Sequence, residues 1–326
     1  MEQFFLPTLY CPFEPAISPY AERVDKQTMA WAHRFGLITT DAVAQRFRTA
    51  RLGWLAAYLA PTLPLEALQL LSDWNTWAIM WDDACDSPDM RSQPERLTMA
   101  HTGFLSIFHT NDCTNAKGSL ARALQDIRQR IVQQADTARL YRFIYHVEEF
   151  FAGCVWEATN RAQQRIPDVA TYIHMRRLTS GMYTSLKLIE ITDGINLPLE
   201  VWRHPAIEGL RQLATNAVCW ANDIISLHKE IKRGDMHNLI LALQIAEQVD
   251  LQTAINRVAD LHNAEVHAFL AAEQALPRLG VVVDRTLERH TALLRSFMYG
   301  NLAWSAISGR YRPTADTLAL EHCLMV

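Results

Sequence analysis

Apolar residues recur at three- and four-residue spacing along nearly the whole chain. That is the period of an amphipathic α-helix, not of a strand. The pattern predicts helices over roughly 20–35, 40–60, 64–86, 92–110, 117–135, 137–163, 168–191, 206–233, 236–247, 250–277 and 281–310. Breakers fall between them: Pro61 and Pro64, Ser87-Pro88, Gly194 with Pro198, then Gly234 and Gly280. Residues 1–19 carry Pro7, Pro12, Pro15 and Pro19 and are expected to form an irregular arm. No alternating β-branched run suggests a hairpin, and no internal repeat or low-complexity linker divides the chain. The expectation is an all-α protein with one helical domain over residues 1–326. The segment around Val218-Cys219-Trp220 is apolar on more than one face, which suits a helix surrounded by others in a large bundle.

Composition narrows the function. Hydrophobic residues make up 49% of the chain and charged residues 20%, enough for a large core. The net charge is −4 with no long basic run, so nothing provides the basic face that nucleic acid requires. The opening MEQFFLPTLYCPF has no basic leader followed by a long apolar stretch, and no apolar run reaches the length of a membrane helix. A soluble, cytoplasmic protein is expected. Six scattered cysteines, Cys11, Cys85, Cys113, Cys154, Cys219 and Cys323, form no CxxC pair. They read as free thiols and not as a zinc site.

Two polar segments carry candidate chemistry. Trp81-Asp82-Asp83-Ala84-Cys85-Asp86 places three carboxylates at the end of an apolar helix. Asp82 and Asp86 lie roughly 40° apart on one face, with Asp83 to the side. Negative charge at a helix C-terminus opposes the macrodipole unless a cation binds there, and hard carboxylate oxygens suit Mg²⁺. The same motif alone could be a solvated acidic helix end. Asn222, Ser226 and Glu230 are spaced i, i+4, i+8 and form one stripe of amide, hydroxyl and carboxylate oxygens. The stripe emerges from the apolar run Ala217–Ala221, where unpartnered polar groups would be unfavourable. Lys229 beside Glu230 could contact the same anion.

With both segments in view, the chain resembles microbial class I terpene synthases. Asp82-Asp83-Ala84-Cys85-Asp86 matches the family's DDxxD motif, and Asn222, Ser226 and Glu230 match its NDxxSxxxE motif. Arg310-Tyr311 resembles the family's RY pair, and Arg176 sits 46 residues before Asn222, where the family keeps a diphosphate-sensing arginine. The resemblance implies the class I terpenoid synthase fold, an antiparallel helix bundle around a deep apolar pocket. It implies three Mg²⁺ ions, with Asp82, Asp83 and Asp86 on the first motif and Asn222, Ser226 and Glu230 on the second. Asp82 would bind two ions, while Asp83 would pair with Arg310 on closure. Arg176, Lys229, Arg310 and Tyr311 would donate to the diphosphate. Thr179 fits the residue three past the sensor, and either Ser180 or Gly181 could supply the carbonyl that faces the substrate. Gly181 lies inside a predicted helix, where a local break would explain it.

The resemblance further implies a lyase that ionises a linear isoprenyl diphosphate and cyclises the cation. Farnesyl diphosphate is the expected substrate and geranylgeranyl diphosphate the alternative; a homodimer is compatible with the family. A chain-elongating prenyltransferase would carry a second aspartate-rich motif where Asn222, Ser226 and Glu230 stand. A helical protein that binds a diphosphate without turnover is the non-catalytic rival. Aromatic faces can stabilise a carbocation. Trp304, seven residues before Tyr311, is the leading aromatic candidate, and Ile79, three before Asp82, is expected on the wall. Trp74, Trp77, Phe150 and Phe151 could also face the pocket, but periodicity does not choose among them. His174, His228 and His237 are expected at the surface or in caps.

Overall fold

The computed structural model describes residues 4–311, and Cys323 lies outside them. Fourteen α-helices and no strand occur among the described residues. They are α1 Ala21–Arg34, α2 Asp41–Ala50, α3 Leu52–Leu59, α4 Leu65–Cys85, α5 Pro94–Thr110, α6 Ser119–Val132 and α7 Thr137–Ala162. The second half holds α8 Val169–Thr179, α9 Met182–Thr192, α10 Leu199–Trp202, α11 Pro205–Arg233, α12 Leu239–Glu247, α13 Leu251–Gln274 and α14 Val281–Ile307. None is long and apolar enough to cross a membrane.

Most boundaries follow local chemistry. The side chains of Thr40, Asp136, Asp168, Asn238 and Asp250 each accept a backbone N–H of the first turn that follows, capping α2, α7, α8, α12 and α13. Two long predicted helices are broken, however. The segment 40–60 divides at Arg51, whose φ of 52° is left-handed. The carbonyls of Ala50 and Arg51, on either side of the break, accept the Trp304 indole N–H at 2.8 and 3.0 Å. A tertiary contact thus supports a backbone conformation that costs a non-glycine residue about 1–2 kcal/mol. The segment 168–191 divides at Gly181, with φ 66°. There the break was legible, because glycine adopts this conformation without a Cβ clash. The short α10 was not anticipated, whereas α11 falls where the helix over 206–233 was expected.

The core joins distant parts of the chain. α3 packs on α1, α4 and α14, while α11 packs on α13 and α14. Gly53 permits the α1–α3 approach: a Cβ there would lie 2.3 Å from the backbone N and Cα of Asp25. Trp74 and Trp77 are fully buried and stack on each other, with Phe143 and Phe104 edge-on against them. The N-terminal arm is irregular, as expected, and lies along α13. Its Phe5 and Tyr10 N–H groups donate to Gln252 and Asn263, and Tyr10 stacks on His267.

Candidate active site

Helices α3, α4, α7, α8, α9, α11 and α14 surround a cavity of about 230 Å³. Leu55, Leu59, Ala78, Ile79, Phe150, Met182, Val218 and Phe297 supply its apolar wall. Asp82 and Asp86 line one side of its polar end; Asn222, Ser226, Lys229 and Glu230 line it from α11. The two motifs, far apart in sequence, therefore face one space. Arg176, Thr179, Ser180, Gly181, Trp304, Arg310 and Tyr311 line it as well. Asp83 stands on the rim instead, because it projects to the side of the face that Asp82 and Asp86 share.

The segment after α14 ties the two motif-bearing walls together. Arg310 grips Asp83 of α4 through two parallel bonds of 2.7 and 3.0 Å and lies 3.5 Å from Asp82. Such paired Arg–carboxylate bonds fix orientation as well as supplying energy. Tyr311 Oη accepts the Asn222 amide N–H of α11 at 2.9 Å. Its ring meets Trp304 edge-on at 5.6 Å. The seven-residue spacing suggests one helical face for Trp304 and Tyr311, but they do not share one. α14 ends at Ile307 and Ser308 is extended, so a turn of chain and not a helix brings the two rings together.

On α11, Ser226 Oγ lies 2.6 Å from Glu230 Oε1 and 2.7 Å from the Asn222 carbonyl. Asn238 donates to Glu230 Oε2 at 2.7 Å. Arg176 reaches across from α8, donating from Nη2 to Asn222 Oδ1 at 2.8 Å and from Nε to Asp223 Oδ1 at 2.9 Å. Asp223 Oδ2 also accepts the Tyr172 hydroxyl and the Leu239 N–H.

Charge is unbalanced at this end. Burial raises the Asp82 carboxyl above its usual range and neighbouring Asp83 adds to it, against the pull of Arg310. Burial, then Asp82, pushes Asp86 up to about 8, with Glu157 and Asp235 contributing. Burial and Asp223 push Glu230 up to about 7. Burial also acts on Asp83, but Arg310 outweighs it and holds that carboxyl low. Among the described residues no three His, Cys, Asp or Glu side chains form a ready metal cage. The oxygen donors instead stand on two facing walls, where an excess of carboxylate favours a hard divalent cation.

Residues 73–268 match the family model described as terpene synthase family 2, C-terminal metal binding. The chain belongs to the microbial class I terpene synthase family. It is 34% identical to germacrene A synthase of Nostoc punctiforme over 95% of this chain and 96% of that one. It is 36% identical to (+)-T-muurolol synthase, (2E,6E)-farnesyl diphosphate cyclizing, of Roseiflexus castenholzii over 96% of each chain. A solved cucumene synthase variant superposes with a TM-score of 0.82 at 26% identity, covering 93% of this chain and 99% of that one.

In this terpene synthase, Phe150 faces the cavity, whereas Trp74, Trp77 and Phe151 are buried in the aromatic core beside it. His237 departs from expectation: it is buried, lines the cavity and bonds Asp235 at 3.0 Å. His174 is exposed, as expected. Sequence reasoning also missed a buttress around Arg161 of α7, which lies 2.7 Å from Asp235, 3.1 Å from Asp86 and 3.5 Å from Glu157. Glu157 is the i,i+4 neighbour of Arg161, but no spacing rule links Asp86 or Asp235 to them. Asp223 was missed too, although its place beside Asn222 inside the second motif was a usable signal.

Proposed function

We propose that this terpene synthase ionises farnesyl diphosphate and cyclises the C15 cation, releasing diphosphate. The carrying observation is that Asp82 of α4 and Asn222, Ser226 and Glu230 of α11 line one end of a single apolar cavity. Two relatives are named as cyclising (2E,6E)-farnesyl diphosphate, which supports the C15 substrate.

The facing oxygen donors fit three Mg²⁺ ions: Asp82, with Asp86 beside it, on one wall, and Asn222, Ser226 and Glu230 on the other. Bound Mg²⁺ would supply electrostatic neutralisation of the departing diphosphate. Arg176, Lys229, Arg310 and Tyr311 would donate hydrogen bonds to the diphosphate oxygens, in positions held before the reaction starts. Asp83 serves as the anchor of Arg310 and not as a metal ligand, in keeping with its two-bond pairing on the rim. Thr179 lies 3.4 Å from Arg176 and would steady the sensor. The Gly181 carbonyl already accepts the Thr184 hydroxyl at 2.6 Å, which favours Ser180 as the carbonyl that faces the substrate. Ile79, Phe150 and the Trp304 face would form the inert wall against which the chain folds, with the aromatic faces attracting positive charge. Cyclisation of one fifteen-carbon diphosphate needs no five-carbon co-substrate, which separates this reaction from chain elongation.

Incubation with C10, C15 and C20 diphosphates plus Mg²⁺, followed by gas chromatography–mass spectrometry, tests the reading. Cyclic C15 product from farnesyl diphosphate alone is expected. Turnover only with an added five-carbon diphosphate, or product only from the C20 substrate, would overturn it.

A further inference from the structure

The cavity wall is not uniformly apolar. Asn75 of α4 lies seven residues before Asp82 on the same helical face, about 10 Å deeper along the helix. It lines the cavity and is 5% exposed. Its Oδ1 accepts the Ser185 hydroxyl at 2.7 Å, while its Nδ2 is buried with no partner among the described residues. Ser185 also lines the cavity. On α14, Asn301 lines the same cavity between Phe297 and Trp304, and its Oδ1 is likewise buried and unpartnered. Both helices flank α3, whose Leu55 and Leu59 line the space.

Two orphaned amide groups are unfavourable in a hydrocarbon-binding cavity. Leucine would fill either position without that penalty. Neither amide belongs to the metal and diphosphate motifs, which stand at the other end of the helix face. What the site offers is an N–H donor, a C=O acceptor and a hydroxyl. A bound water needs two to four such partners.

We infer that Asn75, Ser185 and Asn301 hold a water against the cyclised cation, so that the reaction ends in hydroxylation and the product is a C15 alcohol. This rests on the farnesyl-cyclising reading. Ionisation breaks the C1–O bond and leaves a C15H25 cation and diphosphate. Asn75 Nδ2–H donates to one lone pair of the water, and the water donates a hydrogen to Asn301 Oδ1. The remaining lone pair forms the C–O bond to the cationic carbon. The resulting oxonium loses its extra proton to the released diphosphate. Farnesyl diphosphate plus water thus becomes C15H26O plus diphosphate, with no redox change.

The test is product analysis of the full chain with farnesyl diphosphate and Mg²⁺ in ordinary and ¹⁸O-labelled water. The wild-type enzyme is expected to give mainly alcohol, carrying the label in labelled water. Asn75→Leu and Asn301→Leu are each expected to lower the alcohol-to-hydrocarbon ratio about tenfold, the size expected for one lost hydrogen bond to the water. A purely structural role would lower all products together and leave that ratio unchanged. Hydrocarbon only from the wild type, unlabelled alcohol, or an unchanged ratio in both variants would overturn the inference while leaving cyclisation standing. No C15 product from the wild type would instead remove the farnesyl reading, and this inference with it.

Discussion

Asp223→Asn perturbs the support of the site without replacing any residue proposed to meet metal or diphosphate. Asp223 is 1% exposed and accepts three bonds: Arg176 Nε at 2.9 Å, the Tyr172 hydroxyl at 2.7 Å and the Leu239 N–H at 3.0 Å. An asparagine has one acceptor oxygen where the carboxylate has two. Its NH₂ must therefore confront either the Arg176 donor or the pair from Tyr172 and Leu239. In both cases a buried guanidinium loses its compensating charge. Removing one partner of a buried ion pair costs about 3–5 kcal/mol. Unfolding entropy scales with chain length, so each kcal/mol lowers the melting temperature by about 1.5 °C at 326 residues. The expected fall is about 5–8 °C in differential scanning calorimetry. Arg176 also loses its orientation toward Asn222, and a misplacement of about 1 Å costs about 100-fold in kcat/KM. Steady-state assay of diphosphate release reads that term separately. A variant that melts within about 1 °C of wild type and keeps kcat/KM within about twofold would refute the proposed support role.

Asn222→Ala and Glu230→Ala should each lower turnover about 10²–10³-fold, raise the Mg²⁺ concentration needed for half-maximal rate, and leave the far-ultraviolet circular dichroism spectrum unchanged. Gly53→Ala should destabilise the fold by about 3 kcal/mol, read as a lower urea midpoint, since its Cβ would sit 2.3 Å from the Asp25 backbone. Burial lowers the pKa of His101 and of His262 to about 4. The unfolded chain takes up these protons near pH 6.5 and the folded chain only near 4, so their contribution is complete above pH 6.5 and lost on acidification toward 4. Each histidine should remove up to about 3 kcal/mol over that window. In His101→Phe, whose ring could keep the stack on Phe151 at 4.1 Å, urea melts should show a shallower acid loss; an unchanged slope would count against the assignment.

The helical class and both metal-motif segments were legible because their signals are local. Asp82 and Asp86, or Asn222, Ser226 and Glu230, share a face by helix geometry alone, whatever surrounds them. Gly181 announced its own break for the same reason: a missing Cβ is a property of one residue. The tertiary structure decided the rest. Arg51 breaks a helix without glycine, where Trp304, 253 residues away, donates its indole N–H to the carbonyls at the break. Periodicity gave Trp74, Trp77 and Phe150 equal claims on the pocket, and only the rings of Phe143 and Phe104, edge-on against Trp74 and Trp77, place the two tryptophans in the core. The contacts of Arg161 with Asp86 and Asp235 and the Tyr311–Asn222 bond join distant segments of the chain, so no spacing rule could find them, and the Asp83–Arg310 pair was expected only from the family resemblance. Sequence spacing establishes which side chains lie together on one helix. Whether that face meets core, solvent or cavity depends on which distant helices pack beside it, because burial and partner geometry arise only when the bundle closes.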